Sequence, residues 1–220
     1  MTTSPARIWH TLSAIVAVAA VTLQLALVLQ GGTVLDETDP PAVGARVYRF
    51  FAYFTVESNL LIAIATITLA RDPRRDGTGW RVLRLAGLVA ITVTAVVHFF
   101  LLRPLLDLDG LDLVADKALH MVVPAFAIIG WVVFGPRPRI SGRTVGLALL
   151  FPLVWAAWTM LFGALDGWYP YPFLDPDEDG WAPVVIALGG ITVFFLGVLG
   201  GVAYVDRRMP PAPEPTTVTS

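Results

Sequence analysis

The stretch APVVIALGGITVFFLGVLGGVAYV, Ala182–Val205, contains no charged residue. A helix of roughly 20 apolar residues crosses the hydrocarbon core of a bilayer, so this segment reads as a membrane span. Working outward from it, five further stretches have the same character: Ile8–Leu29, Val47–Ala70, Val82–Leu102, Leu113–Phe134 and Val145–Ala164. The runs are continuous rather than alternating, which argues against a membrane β-barrel. Composition agrees: of 220 residues, 56% are hydrophobic and 15% charged, with a mean hydropathy of +0.71, whereas a soluble domain carries about 25% charge. The expected fold is all-α, a single six-helix transmembrane domain over residues 1–208, followed by a disordered Pro-rich tail at 209–220.

Charge sets the expected orientation. Arg7, the group Arg71, Arg74, Arg75, Arg81 and Arg84, the group Arg137, Arg139 and Arg143, and the pair Arg207 and Arg208 all fall on one side. Arg46, Arg49, Arg103 and Lys117 fall on the other. The positive-inside rule therefore predicts two cytoplasmic termini. The opposite loops collect acid, including Asp36, Glu37, Asp39, Asp107, Asp109, Asp112 and the run Asp175–Asp179. The apolar run after Arg7 is longer than a signal-peptide core, so it reads as a retained helix. There are no cysteines, so neither disulfides nor thiol chemistry is available.

Hydrocarbon supplies no water, so each polar residue inside a span needs an explanation. The second span, VYRFFAYFTVESNLLIAIATITLA, carries Thr55, Glu57, Ser58 and Asn59 near its middle. Thr55, Ser58 and Asn59 share one helical face, whereas Glu57 lies about 200° round from Thr55. Ser58 and Asn59 suit hydrogen bonds between helices. Glu57 would need a cation beside it or a proton. His98 closes the third span, and His120 lies in the fourth, DLVADKALHMVVPAF. At 1.5 Å per residue, Thr55, His98 and His120 occupy similar depths in the acidic half of the bundle. Asp116, four residues before His120, is placed to orient its imidazole. Pro124 lacks the N–H that would bind the His120 carbonyl, an expected irregularity. A His–His–Glu metal site is conceivable, but no local ligand motif is present, so neither metal nor other cofactor is expected.

After the fifth span comes FGALDGWYPYPFLDPDEDGW. Trp168, Tyr169, Tyr171 and Phe173 would serve either as an interfacial aromatic belt or as a lid over the bundle, kept extended by Pro170 and Pro172.

Three segments together carry a resemblance: FFAYFTVESNLL (Phe50–Leu61), HMVVP (His120–Pro124) and GWYPYPFLD (Gly167–Asp175). The chain resembles the bacterial six-helix membrane proteins of the Pr-six-Pr family over about residues 8–205. It is more distantly similar to the FAR-17a/androgen-induced-gene-like family. The second resemblance implies an intramembrane hydrolase of fatty acid esters of hydroxy fatty acids, with a Thr nucleophile falling on Thr55 and a His on His120. The polar set after Thr55 differs from that family's pattern, which leaves Ser58 as an alternative nucleophile.

The leading expectation is thus lipid ester hydrolysis in a bacterial plasma membrane. His120 would be the base, Asp116 or His98 would orient it, and Ser58 or Asn59 would donate to the oxyanion. Membrane lipids and a lipid ester are the expected partners, and nucleic acid is not. One alternative is a proton- or cation-linked transporter using Glu57 and the two histidines, for which six helices would call for a dimer. Another is a non-catalytic lipid-binding protein.

Overall fold

The computed structural model describes residues 4–32 and 41–211. Asp36, Glu37 and Asp39, and most of the tail expected at 209–220, lie outside the described residues. Among the described residues, all regular structure is helical: α1 (Pro5–Leu29), α2 (Val43–Ala52), α3 (Phe54–Arg71), α4 (Thr78–Val97), α5 (Gly110–Lys117), α6 (Val123–Phe134), α7 (Gly142–Ala148), α8 (Leu150–Asp166), α9 (Pro176–Asp179) and α10 (Trp181–Arg208). They make six helical stretches long and apolar enough to cross a membrane: Pro5–Leu29, Phe54–Arg71, Thr78–Leu105, Gly110–Phe134, Gly142–Asp166 and Trp181–Arg208. The architecture is that of a multi-pass membrane protein.

The second and third spans are the most buried, and the fifth and sixth the least. α3 lies between α1 and α4. Its buried face runs Thr55, Ser58, Asn59, Ile62, Thr66 and Leu69, the i, i+3, i+4, i+7 spacing of a helical stripe. Small residues let the backbones approach. Ala17 and Ala20 of α1 are buried, and a Cβ added at Gly87 of α4 would lie 3.0 Å from Leu61 Cβ.

Several spans are not continuous α-helix, the fourth of them where Pro124 signals an irregularity. The second is broken at Tyr53, whose backbone is extended (φ −70°, ψ 127°). No proline or glycine lies at the break, so side chains from elsewhere must answer the freed backbone groups. The Trp155 indole N–H donates to the Ala52 carbonyl at 3.0 Å, and the Thr55 N–H donates to the Tyr171 hydroxyl at 3.3 Å. The fourth span passes from α5 to α6 through a π-helical turn, Ala118–Val122. Pro124 cannot donate to His120, and the Val123 N–H reaches back five residues to the Ala118 carbonyl. The third span ends in the same way. Pro104 follows a π turn over His98–Leu102, where the Arg103 N–H reaches the His98 carbonyl.

The arginine-rich loops meet at one end of the bundle. Buried Arg84 donates to the carbonyls of Gly135 and Pro136, and Arg137 to those of Trp131 and Pro210. Asp206, fully buried, accepts from the backbone N–H groups of Arg139 and Ile140 at 2.7 and 3.0 Å. Asp76 joins Arg81 and Arg139 at the surface. Replacing Asp206 with Ala would leave two backbone donors without their acceptor. At about 1–3 kcal/mol for each unsatisfied group, Asp206→Ala should clearly lower the midpoint of thermal unfolding in detergent, with Asp206→Asn in between.

Candidate functional site

At the opposite, acidic end, the break in the second span decides where the polar residues face. Thr55 is the second residue of α3, so its N–H is among those with no intrahelical partner and lies at the positive end of the helix dipole. Its carbonyl accepts from Ser58 Oγ at 3.0 Å and from Asn59 Nδ2 at 2.8 Å. Its hydroxyl lies 3.3 Å from His120 Nε2. Thr55, Ser58, Asn59 and His120 are all buried.

The hydrogen-bond partners of His120 settle its tautomer. Nδ1 faces two acceptors, the Asp116 backbone carbonyl at 2.9 Å and Asp116 Oδ1 at 3.0 Å. It must therefore carry the ring proton. Nε2 is left with its lone pair directed at the Thr55 hydroxyl. The result is a Thr55–His120–Asp116 relay. His98 stacks on His120, with ring centroids 3.6 Å apart and planes at 7°. Its Nε2 comes within 3.1 Å of the same Asp116 oxygen, but off the direction a hydrogen bond requires. Both histidines lie in π turns, a backbone feature frequent at functional sites.

The loop after the fifth span folds over this end of the bundle. Tyr169 and Tyr171 are buried, so the loop is not a belt of outward-facing aromatics. The Tyr171 hydroxyl lies 3.4 Å from Thr55 Oγ as well as accepting from the Thr55 N–H. Burial pushes this phenol up to about 12, so it stays protonated and able to donate. Phe173 stacks on Tyr171, Trp168 meets Tyr53 edge-on, and the Tyr169 ring packs against Gly163.

Several expected roles change. Ser58 and Asn59 line neither of the cavities that His98 lines. Besides bonding the Thr55 carbonyl, Ser58 Oγ lies 3.2 Å from Thr94 Oγ on α4, and Asn59 Nδ2 reaches the Leu119 carbonyl at 3.4 Å. They join helices, and Ser58 has no histidine partner. The hydroxyl placed to donate beside Thr55 belongs to Tyr171. Glu57 is half-buried and lines neither of the two cavities that His98 lines. The YPYP pattern marked Tyr171 as part of an extended loop, and no pattern in the sequence aimed its hydroxyl at Thr55.

A cavity of about 300 Å³ opens beside Thr55, with Thr94, His98 and Tyr171 at its polar end, Thr192 on a side wall and mainly apolar side chains elsewhere. A second, of about 250 Å³, is lined by His98, Asp116, His120 and Arg103. The donor atoms of His98, Asp116 and His120 lie within 4.8 Å of one another, close enough to consider a metal ion. The stacking opposes it. The imidazole lone pairs lie in nearly parallel planes whose rings are 3.6 Å apart, and an ion about 2.1 Å from each nitrogen needs them to converge. As arranged, Asp116 and His120 are hydrogen-bonded, and His98 stacks on His120 without the convergence a ligand set needs.

Comparison of the chain with protein-family models, with curated proteins and with solved structures finds no match.

The Tyr169–Gly163 contact gives a test of the loop's seating. A Cβ at position 163 would collide with the Tyr169 ring. Gly163→Ala should destabilise the protein by about 1–3 kcal/mol and expose the segment 167–180 to limited proteolysis.

Proposed function

We propose that this protein is an intramembrane hydrolase of lipid esters, with Thr55 as nucleophile and His120 as general base. The observation that carries the reading is the hydrogen-bonded series Thr55–His120–Asp116, 3.3 and 3.0 Å between successive side chains, with Thr55 at the polar end of the apolar cavity and His120 and Asp116 behind it, on the second cavity. A threonine hydroxyl is a weak nucleophile unless a base takes its proton, and the His120 tautomer leaves Nε2 free to do so. Membership of the Pr-six-Pr family, with distant kinship to the androgen-induced-gene-like hydrolases, is part of the same proposal. So is a bacterial plasma-membrane location with both termini in the cytoplasm, which the concentration of arginines at one end of the bundle favours.

In the first step Thr55 Oγ attacks the ester carbonyl carbon while its proton passes to His120 Nε2. The carbonyl electron pair moves to oxygen, giving a tetrahedral oxyanion. The Tyr171 O–H is the donor beside it, with the helix dipole of α3 adding positive potential. Asp116, bound to Nδ1–H, stabilises the imidazolium. Collapse breaks the bond to the leaving alcohol oxygen, which takes the proton from Nε2. Water then gives a proton to Nε2 as its oxygen attacks the acyl-threonine. Release of the acid returns that proton to Thr55.

Purified protein in nanodiscs should hydrolyse long-chain acyl esters. Thr55→Ala and His120→Ala should each lower kcat about 10²–10⁴-fold, and Thr55→Ser should retain measurable turnover. Wild-type rates in Thr55→Ala would sink the reading. Tyr171→Phe removes one hydroxyl and keeps the ring. It should lower kcat about 10²–10³-fold, the cost of losing one oxyanion donor, with KM little changed.

A further inference from the structure

The cavity beside Thr55 has a side opening as well as a polar end. Its walls include Leu153 on α8 and Thr192 and Leu196 on α10. Leu153 is 61% exposed and Leu196 47%, and Thr192 is also exposed. A residue that both lines a cavity and faces outward marks where that cavity opens. Here the opening lies midway along the fifth and sixth spans, at hydrocarbon depth. Over the described residues α8 and α10 do not pack closely on one another, so close helix packing does not seal the gap between them. The polar groups Thr55, His98 and Tyr171 lie at the other end of the same space.

We infer that the gap between α8 and α10 is a lateral portal through which a single acyl chain passes from the bilayer into the cavity, bringing its ester group up to Thr55. The inference rests on the hydrolase reading for the identity of the ester, and on the cavity alone for the chain and its route. Hydrocarbon surroundings favour an apolar occupant, and the lining is apolar except near Thr55 and at Thr192. Size limits the occupant. An engineered apolar cavity of about 150 Å³ holds one benzene, so twice that volume takes about a dozen carbon atoms. The wall contributed by α10, Leu188 to Leu196, runs about 12 Å along the helix axis at 1.5 Å per residue. A single chain of medium length fits, and the paired chains of a phospholipid do not. Longer chains would leave their ends in the portal.

The chain has no cysteine, so introduced thiols are the only ones present. The test uses the full chain in lipid nanodiscs with a dodecanoyl ester carrying a diazirine at the chain end. Photolysis is expected to label the segments 152–156 and 188–196. In the Leu153→Cys/Leu196→Cys protein, joining the two thiols after folding with a short bis-maleimide is expected to abolish that labelling. The same reagent on Ile186→Cys, exposed on α10 and outside the cavity lining, is expected to leave it unchanged. Labelling that survives closure of the gap would overturn lateral admission, and failure to label either segment would overturn the acyl cavity. Labelling that depends on the gap, in a wild-type protein that cleaves no ester, would uphold the portal and remove the hydrolase reading.

Discussion

A polar group in the middle of this bundle has to be answered by another part of the same chain, because hydrocarbon answers none. The site follows from that constraint. The second span breaks at Tyr53, and the break persists because Trp155 takes up the freed Ala52 carbonyl and Tyr171 the freed Thr55 N–H. Those two bonds come from the fifth span and from the loop that follows it. They turn the start of α3 toward the interior and leave Thr55 at a helix N-terminus instead of in mid-span. Asp116 is answered in turn by His120 and approached by His98, which draws the ends of the third and fourth spans together.

The two ends of the bundle are held differently. Where the arginines gather, charged groups and backbone carbonyls interlock: Arg84 with Gly135 and Pro136, Arg137 with Trp131, and Asp206 with the chain at 139–140. At the acidic end, the loop is seated by aromatic packing around Tyr171, by Arg49 over the Trp168 ring and by the contacts of the Tyr171 hydroxyl at 3.3 and 3.4 Å. The proposed chemistry sits at this second end.

Much of the fold is legible in the sequence, because an apolar run of sufficient length has few alternatives in a bilayer. All six stretches form helices, and counting residues along them brings Thr55, His98 and His120 to one level. The i, i+4 spacing of Asp116 and His120 survives the π turn between them. The break at Tyr53 is not legible, since no proline or glycine announces it and the groups that stabilise it are more than 100 residues away. The π turns are legible only in part. Pro124 signals an irregularity at His120, whereas only the structure shows that Pro104 pairs with the same device at His98. The direction of Ser58 and Asn59 follows from the same limit. A helical wheel places them beside Thr55 but does not tell a side chain facing a substrate from one returning to the Thr55 carbonyl.

The loop that carries Tyr171 joins α8 to α10, the two helices that frame the gap in the bundle wall. It is therefore a short covalent tether between the two gateposts. On the proposed route, parting these helices to admit a chain would draw on the same loop that holds the Tyr171 hydroxyl against Thr55.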